Sequence, residues 1–131
     1  MPDYFFDTTV LLAYFKNEDP RSVSLVKAVI QGQYVAAVSA ITVAEVCANS
    51  EMNDSITRRE RLALLALMQI VPLNSRLAEQ GGTIKRNYKN KLPDALIAAS
   101  CRHAGGYFFA KDHDFQRLLN TWIITGEIIS S

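Results

Sequence analysis

Four short, wholly apolar runs, YFF at 4–6, YVAAVS at 34–39, IVPL at 70–73 and YFFA at 107–110, recur along the chain with helix-length segments between them. Runs that are apolar throughout, rather than alternating apolar with polar, suit strands covered on both faces. Strands alternating with helices of about ten residues predict a parallel sheet between helical layers. The expected fold is therefore a three-layer α/β/α domain with a central, mainly parallel sheet of four to five strands, WIIT at 122–125 being the fifth. With 131 residues, 49% of them hydrophobic, one domain spanning 1–131 can bury a core of its own.

The helices between the strands are marked by period and punctuation. Apolar positions at 10, 11, 12, 14 and 15 predict a helix from Thr8 to Phe15, and a second runs from Arg21 to Ile30, where Gly32 stops it. A third begins near Ile41, with Thr42 and Glu45 at capping-box spacing. Thr57 to Gln69 carries Leu62, Leu65 and Met68 on one face, and Ser75 to Lys89 forms the next helix, with a bend expected at Gly81–Gly82. Pro93 and Asp94 open a last long helix that runs through His103 and closes at Gly105 and Gly106. The apolar residues of 10–15 and 23–30 exceed what one short helix buries, which points to a dimer face or a groove for a partner helix.

Composition narrows the function classes. Lys and Arg number 14 against 13 Asp and Glu, so the chain is no polybasic tail. Cys47 and Cys101 form no CxxC pair, which removes zinc ribbons and disulfide-framed scaffolds; both read as small buried hydrophobes. The N-terminus has no basic flank before its apolar run, and no apolar stretch approaches the roughly 20 residues of a membrane helix. A cytoplasmic protein without membrane contact is expected.

In a parallel α/β sheet, ligands bind beyond the carboxyl ends of the strands, and that is where the acids fall. Asp7 follows YFF, Glu45 lies one helical turn beyond YVAAVS, Asp112 follows YFFA, and Asp94 opens a helix. Each taken singly is an ordinary cap or first-turn acid. Taken together they form a patch in which two carboxylates about 4 Å apart repel by about 4 kcal/mol at an effective dielectric near 20. A cation is expected between them. Oxygen ligands without His or Cys favour Mg²⁺ or Mn²⁺ over zinc, and two such ions can activate water for phosphodiester hydrolysis.

The order Asp7 in DTTVLL, Glu45 in SAITVAEV, Asp94 in LPDALIAAS and Asp112 in FFAKDHDF resembles the PIN domain ribonucleases, specifically the small VapC-type toxins of toxin–antitoxin pairs. The resemblance spans nearly the whole chain, with PDALIAA its most specific element. It implies that Asp7, Glu45, Asp94 and Asp112 are the acids of a metal site and carry catalysis. It implies further that Thr9 is the hydroxyl that hydrogen-bonds beside the metal, with Asp114 as an auxiliary acid. Ala110 departs from the pattern, standing where many relatives carry Thr. The implied reaction is endonucleolytic RNA cleavage without a covalent enzyme intermediate, and the implied partners are an RNA substrate, a cognate VapB-type antitoxin that blocks the acidic pocket, and a second copy of the chain in a homodimer.

Between Arg58 and Lys91 the segment carries a net +6 while the whole chain carries +1. Lys85, Arg86, Lys89 and Lys91, lying just before Asp94, are the candidates to contact RNA phosphates. His113, between Asp112 and Asp114, is a lesser candidate to touch substrate, and His103 reads as structural. Two rivals are a catalytically silent PIN-like module that binds RNA or protein, and another Mg²⁺-dependent α/β phosphohydrolase. The dehalogenase-type phosphatase needs DxD after the first strand, where Thr9 stands. A receiver domain needs an aspartate after the third strand, where NSR at 74–76 offers none.

Overall fold

The computed structural model describes residues 1–130 and holds five strands: β1 (Tyr4–Phe6), β2 (Ala36–Ser39), β3 (Gln69–Val71), β4 (Tyr107–Ala110) and β5 (Gly126–Ile128). They form one sheet in the order β3-β2-β1-β4-β5, with every adjacent pair parallel. Seven α-helices cover it: α1 (Thr8–Phe15), α2 (Pro20–Ile30), α3 (Ala40–Cys47), α4 (Ser55–Ala66), α5 (Ser75–Tyr88), α6 (Leu92–Ala104) and α7 (Gln116–Asn120). Short 3-10 turns occupy Ser50–Asn53 and His113–Phe115.

The period of two along each strand divides the core. Phe5, Ala37, Phe108 and Ala110 face α5, α6 and α7, packing with Leu77, Ile84, Ile97 and Leu118. Their neighbours Phe6, Ala36, Val38 and Phe109 point the other way, toward Val10 and Leu11 of α1, Val26 of α2 and Leu64 and Leu65 of α4. Both faces of β1, β2 and β4 are covered, whereas β3 at the sheet edge leaves Gln69 and Ile70 exposed; each buried Phe, Leu, Ile or Val contributes about 1.5–3 kcal/mol. The three-layer α/β/α arrangement is the one expected.

Several local expectations are corrected. The capping box at Thr42 and Glu45 does not form: Ser39 caps α3, accepting from the Ile41 amide at 3.1 Å. Thr42 is fully buried within the helix and Glu45 is exposed on it. Helix α4 starts earlier than Thr57, because Asp54 accepts from both the amide and the hydroxyl of Thr57 at 2.9 Å. The fifth strand is not 122–125 but 126–128; the amides of Trp122 and Ile123 turn back to close α7 on the carbonyls of Leu119 and Leu118. Cys47 is exposed rather than buried, while Cys101 is buried, which pushes its thiol up to about 12. Most of the apolar surplus of α1 and α2 enters the core. Tyr14, Phe15, Val23 and Ile30 are left lining an open cleft of about 840 Å³ against α4.

No bend occurs at Gly81–Gly82, where α5 continues unbroken. Gly81 is there for contact with α6, since a Cβ on it would lie 2.5 Å from Leu96 Cδ2 and 3.2 Å from its Cα; a Cβ on Gly82 would meet nothing within 4 Å. The two neighbouring substitutions therefore differ in sign. Gly81→Ala should cost about 1–3 kcal/mol by forcing α6 outward, and Gly82→Ala should add about 0.5–1 kcal/mol through helix propensity. Urea unfolding of both variants checks this, equal effects of one sign being the result that refutes it.

Candidate active site

The strand order changes direction of travel at β1, whose neighbours are β2 and β4, and the crevice beyond these carboxyl ends holds the acids. Asp7 leaves β1 as the N-cap of α1 and is 3% exposed. Its Oδ2 accepts from the Thr9 amide at 3.2 Å and from the Thr9 hydroxyl at 2.5 Å. That hydroxyl in turn accepts from the Lys111 amide at 2.9 Å. Thr9 thus ties the end of β1 to the segment leaving β4, so Asp7 and Asp112 are held in one frame.

Asp94, Asp112 and Asp114 come together: each offers one carboxylate oxygen, and the three lie within 4.8 Å of one another. Asp94 stands in the first turn of α6, which the Ser100 hydroxyl anchors to Ser39 at the end of β2, 3.2 Å away. Asp112 caps the 3-10 turn through the Asp114 amide at 2.8 Å, fixing one oxygen and leaving the other. Asp114, expected as auxiliary, belongs to this tight group. Asp7 and Glu45 lie outside it, yet both are close enough to repel the Asp94 charge.

Glu45 is positioned by a residue that sequence reasoning missed. The Thr8 hydroxyl lies 2.7 Å from Glu45 Oε1 and 2.9 Å from the Thr42 hydroxyl, linking α1 to α3. A carboxylate only accepts, so Thr8 gives it its proton. The Thr42–Glu45 spacing was the available signal, but it pointed to a local cap rather than to a partner 34 residues from Thr42.

Burial, and then the Asp94 charge against the lowering effect of the Thr9 bonds, pushes the Asp7 carboxyl up to about 7. Partial burial and then repulsion by Asp112, Asp114 and Glu45 push Asp94 up to about 6. Asp94 Oδ2 is buried with no hydrogen-bond partner. A buried carboxylate oxygen is seldom left bare, and a carboxylate clustered with two others, an all-oxygen donor set, fits a hard divalent cation. The residues present fit Mg²⁺ or Mn²⁺.

The candidate phosphate contacts divide. Lys85, Arg86, Lys89 and Lys91 are all exposed. Lys91 pairs with Asp114 at 3.6 Å, and Lys89 and Lys91 line a cleft of about 450 Å³ with Arg117 and His113, beside the acids. Lys85 reaches the Asn90 carbonyl at 3.4 Å. Arg61 serves the fold instead: it is buried, 3.0 Å from Glu51, with its guanidinium 4.5 Å above the Phe15 ring. Ala110 is fully buried, its methyl part of the core.

The family model for the PIN domain matches residues 4–119, and the chain belongs to that family. Its solved neighbours include a toxin–antitoxin complex from Klebsiella pneumoniae, 26% identical with a TM-score of 0.70, covering 86% of this chain and 90% of that one. DNA-bound VapBC from Salmonella typhimurium is 15% identical with a TM-score of 0.73, covering 98% of both chains. VapBC-5 from Mycobacterium tuberculosis is 22% identical with a TM-score of 0.59, again over 98% of both. These neighbours agree with the VapC-type resemblance read from the motifs. No curated protein matches the sequence.

Linkage gives the site a pH signature in the metal-free protein. With Asp7 and Asp94 raised, the folded state binds more protons than the unfolded one between about pH 4 and pH 7, so stability falls as pH rises through that window. Metal-free protein should therefore melt lower at pH 8 than at pH 5, and Asp94→Asn should raise the pH 8 melting temperature with little effect at pH 5. Millimolar Mn²⁺ should restore the wild type at pH 8 and leave Asp94→Asn unmoved. Thermal melts in chelator and in Mn²⁺ read this; a wild-type curve flat in both pH and metal would refute it.

Proposed function

We propose that the chain, as a single PIN-like domain over 1–131, is a metal-dependent endoribonuclease of the VapC type. The observation that carries the reading is the Asp94 carboxylate, grouped with those of Asp112 and Asp114 and with its Oδ2 buried and bare. Mg²⁺ or Mn²⁺ held by Asp94, Asp112 and Asp114, with Asp7 and Glu45 beside them, would supply Lewis-acid activation of water and charge stabilisation at the leaving oxygen.

The chain's own residues do the positioning. Thr9 fixes Asp7 against the β4 exit and Thr8 orients Glu45, so two acids from different elements keep their carboxylates near Asp94. Lys89, Lys91 and Arg117 at the rim can bind the phosphates flanking the scissile bond. Their exposure suits a ligand that arrives from solvent, whereas Asp7 is buried and Asp94 half-buried.

The toxin–antitoxin neighbours support an antitoxin partner, and the cleft bordered by Tyr14, Phe15, Ile30, Leu64 and Leu67 is the apolar surface left for a partner segment. A homodimer is part of the same reading. Among the described residues no helix is long and apolar enough to cross a membrane; a cytoplasmic location belongs to the same proposal.

Purified protein freed of any partner should cut structured cellular RNA with Mg²⁺ or Mn²⁺ and not with chelator. Asp94→Asn and Asp7→Asn should each lower the rate at least about 100-fold while remaining folded, as expected when a group acting on the transition state is lost. Cleavage by Asp94→Asn at the wild-type rate would refute the nuclease. A folded wild type that binds RNA but never cuts it would favour the silent binding module instead.

A further inference from the structure

His113 lines two clefts. One is the basic cleft already described, with Lys89, Lys91 and Arg117. The other, of about 670 Å³, runs along β5 and is lined by Tyr107, Gln116, Asn120 and Trp122 among others. The two clefts therefore meet at a side chain flanked in sequence by Asp112 and Asp114, two of the three clustered acids.

Trp122 is the most exposed aromatic of the described residues, at 78% of its surface. It also stands just past the end of α7 with φ of 62°, the left-handed position that usually takes Gly. Neither burial nor backbone preference explains a bulky indole there. Observed strain without packing to account for it is grounds for a functional role. The surroundings suit a nucleobase: aromatic faces for stacking, and the neutral amides of Gln116 and Asn120 for base edges. Glu127, the acid on this cleft, is matched by Arg21 at 2.7 Å, so it adds no unpaired charge against RNA.

We propose that Trp122 is a stacking platform for an unpaired base of the RNA, seated in the β5 cleft while the adjacent backbone passes His113 and its phosphates engage Lys89, Lys91 and Arg117. This rests on reading the acids as an RNA-cleaving site and adds a substrate feature: a single-stranded segment with a splayed base held away from the cut, along the β5 cleft. Duplex RNA keeps its bases stacked internally and cannot use the platform.

Trp122 is the sole tryptophan, so its fluorescence reports on the site without labelling. Titrating Asp94→Asn protein with a short mixed-sequence single-stranded RNA should quench that fluorescence, and a duplex of the same length should not. In the active protein, Trp122→Ala should raise KM for single-stranded RNA at least about fivefold with kcat within about twofold, and Trp122→Phe should restore most of the loss. Trp122→Gly should bind RNA as poorly as Trp122→Ala while melting no lower than the wild type, an outcome that a structural role forbids. Unquenched fluorescence and an unchanged KM in a protein that does cut RNA would overturn the stacking role and leave the nuclease standing. Quenching by single strands in a protein that cuts nothing would uphold the platform and overturn the nuclease. A change in oligomeric state on Trp122→Ala, with KM unmoved, would assign the residue to a protein interface and overturn the proposal.

Discussion

The mutual repulsion of carboxylates gathered at one edge of a dry parallel sheet is the constraint around which the molecule is arranged. Asp7, Asp94, Asp112 and Asp114 gain nothing from each other as charges, and burial makes the ionised forms of Asp7 and Asp94 costlier still. A fold can hold them together only if each is fixed by an element stabilised elsewhere. The sheet does that: strands β1 and β4, buried on both faces, end at the same level because Phe5 pairs with Phe108 and Phe6 with Phe109. Whatever leaves those strands must emerge side by side. The apolar core therefore sets the spacing of the acids, and substitutions deep in the core act on the site without touching it.

Hydroxyl groups convert that coarse placement into fixed side-chain directions. Thr9 joins Asp7 to the Lys111 amide, Thr8 joins Glu45 to α1, and Ser100 joins α6 to Ser39. Each spans elements distant in sequence, and the two threonines each engage only one oxygen of their carboxylate. In the Asp94 carboxylate the economy is plainest, for Oδ2 has no partner although it is buried. A bare acceptor among other carboxylates is costly as a structural element and leaves room for a counter-charge.

The sequence disclosed the layers and most of the acids because both depend on local patterns. Wholly apolar runs mean strands covered on both faces, and an acid directly after such a run must appear at the sheet's edge. What escaped the sequence were pairings between distant positions. Thr42 and Glu45 have the spacing of a local cap, but Ser39 captured the helix start, and Thr8 of another helix claimed both side chains. Gly81 and Gly82 read as a weak point in a helix, whereas the close approach of Leu96 makes the first of them a contact. Arg61 falls within the basic segment 58–91, and its stacking on Phe15 and pairing with Glu51 became visible only in the folded chain. The fifth strand slipped by four residues because α7 ends in a turn at Trp122 that no apolar periodicity announces.

The balance of charge acquires its meaning only in three dimensions. A net +1 on the chain would give a polyanion little reason to approach, and an acidic centre would repel it. The acids, however, gather around the half-buried Asp94, while Lys89, Lys91 and Arg117 line the exposed cleft beside them. Screening sharpens the separation: at physiological salt, fields fade over about 8 Å, so an approaching strand responds to the nearest charges rather than to the total. The Lys91–Asp114 contact at 3.6 Å, with both side chains largely exposed, sits at the boundary between the two zones. A pair this exposed is held weakly, so either partner can exchange it for another counter-charge.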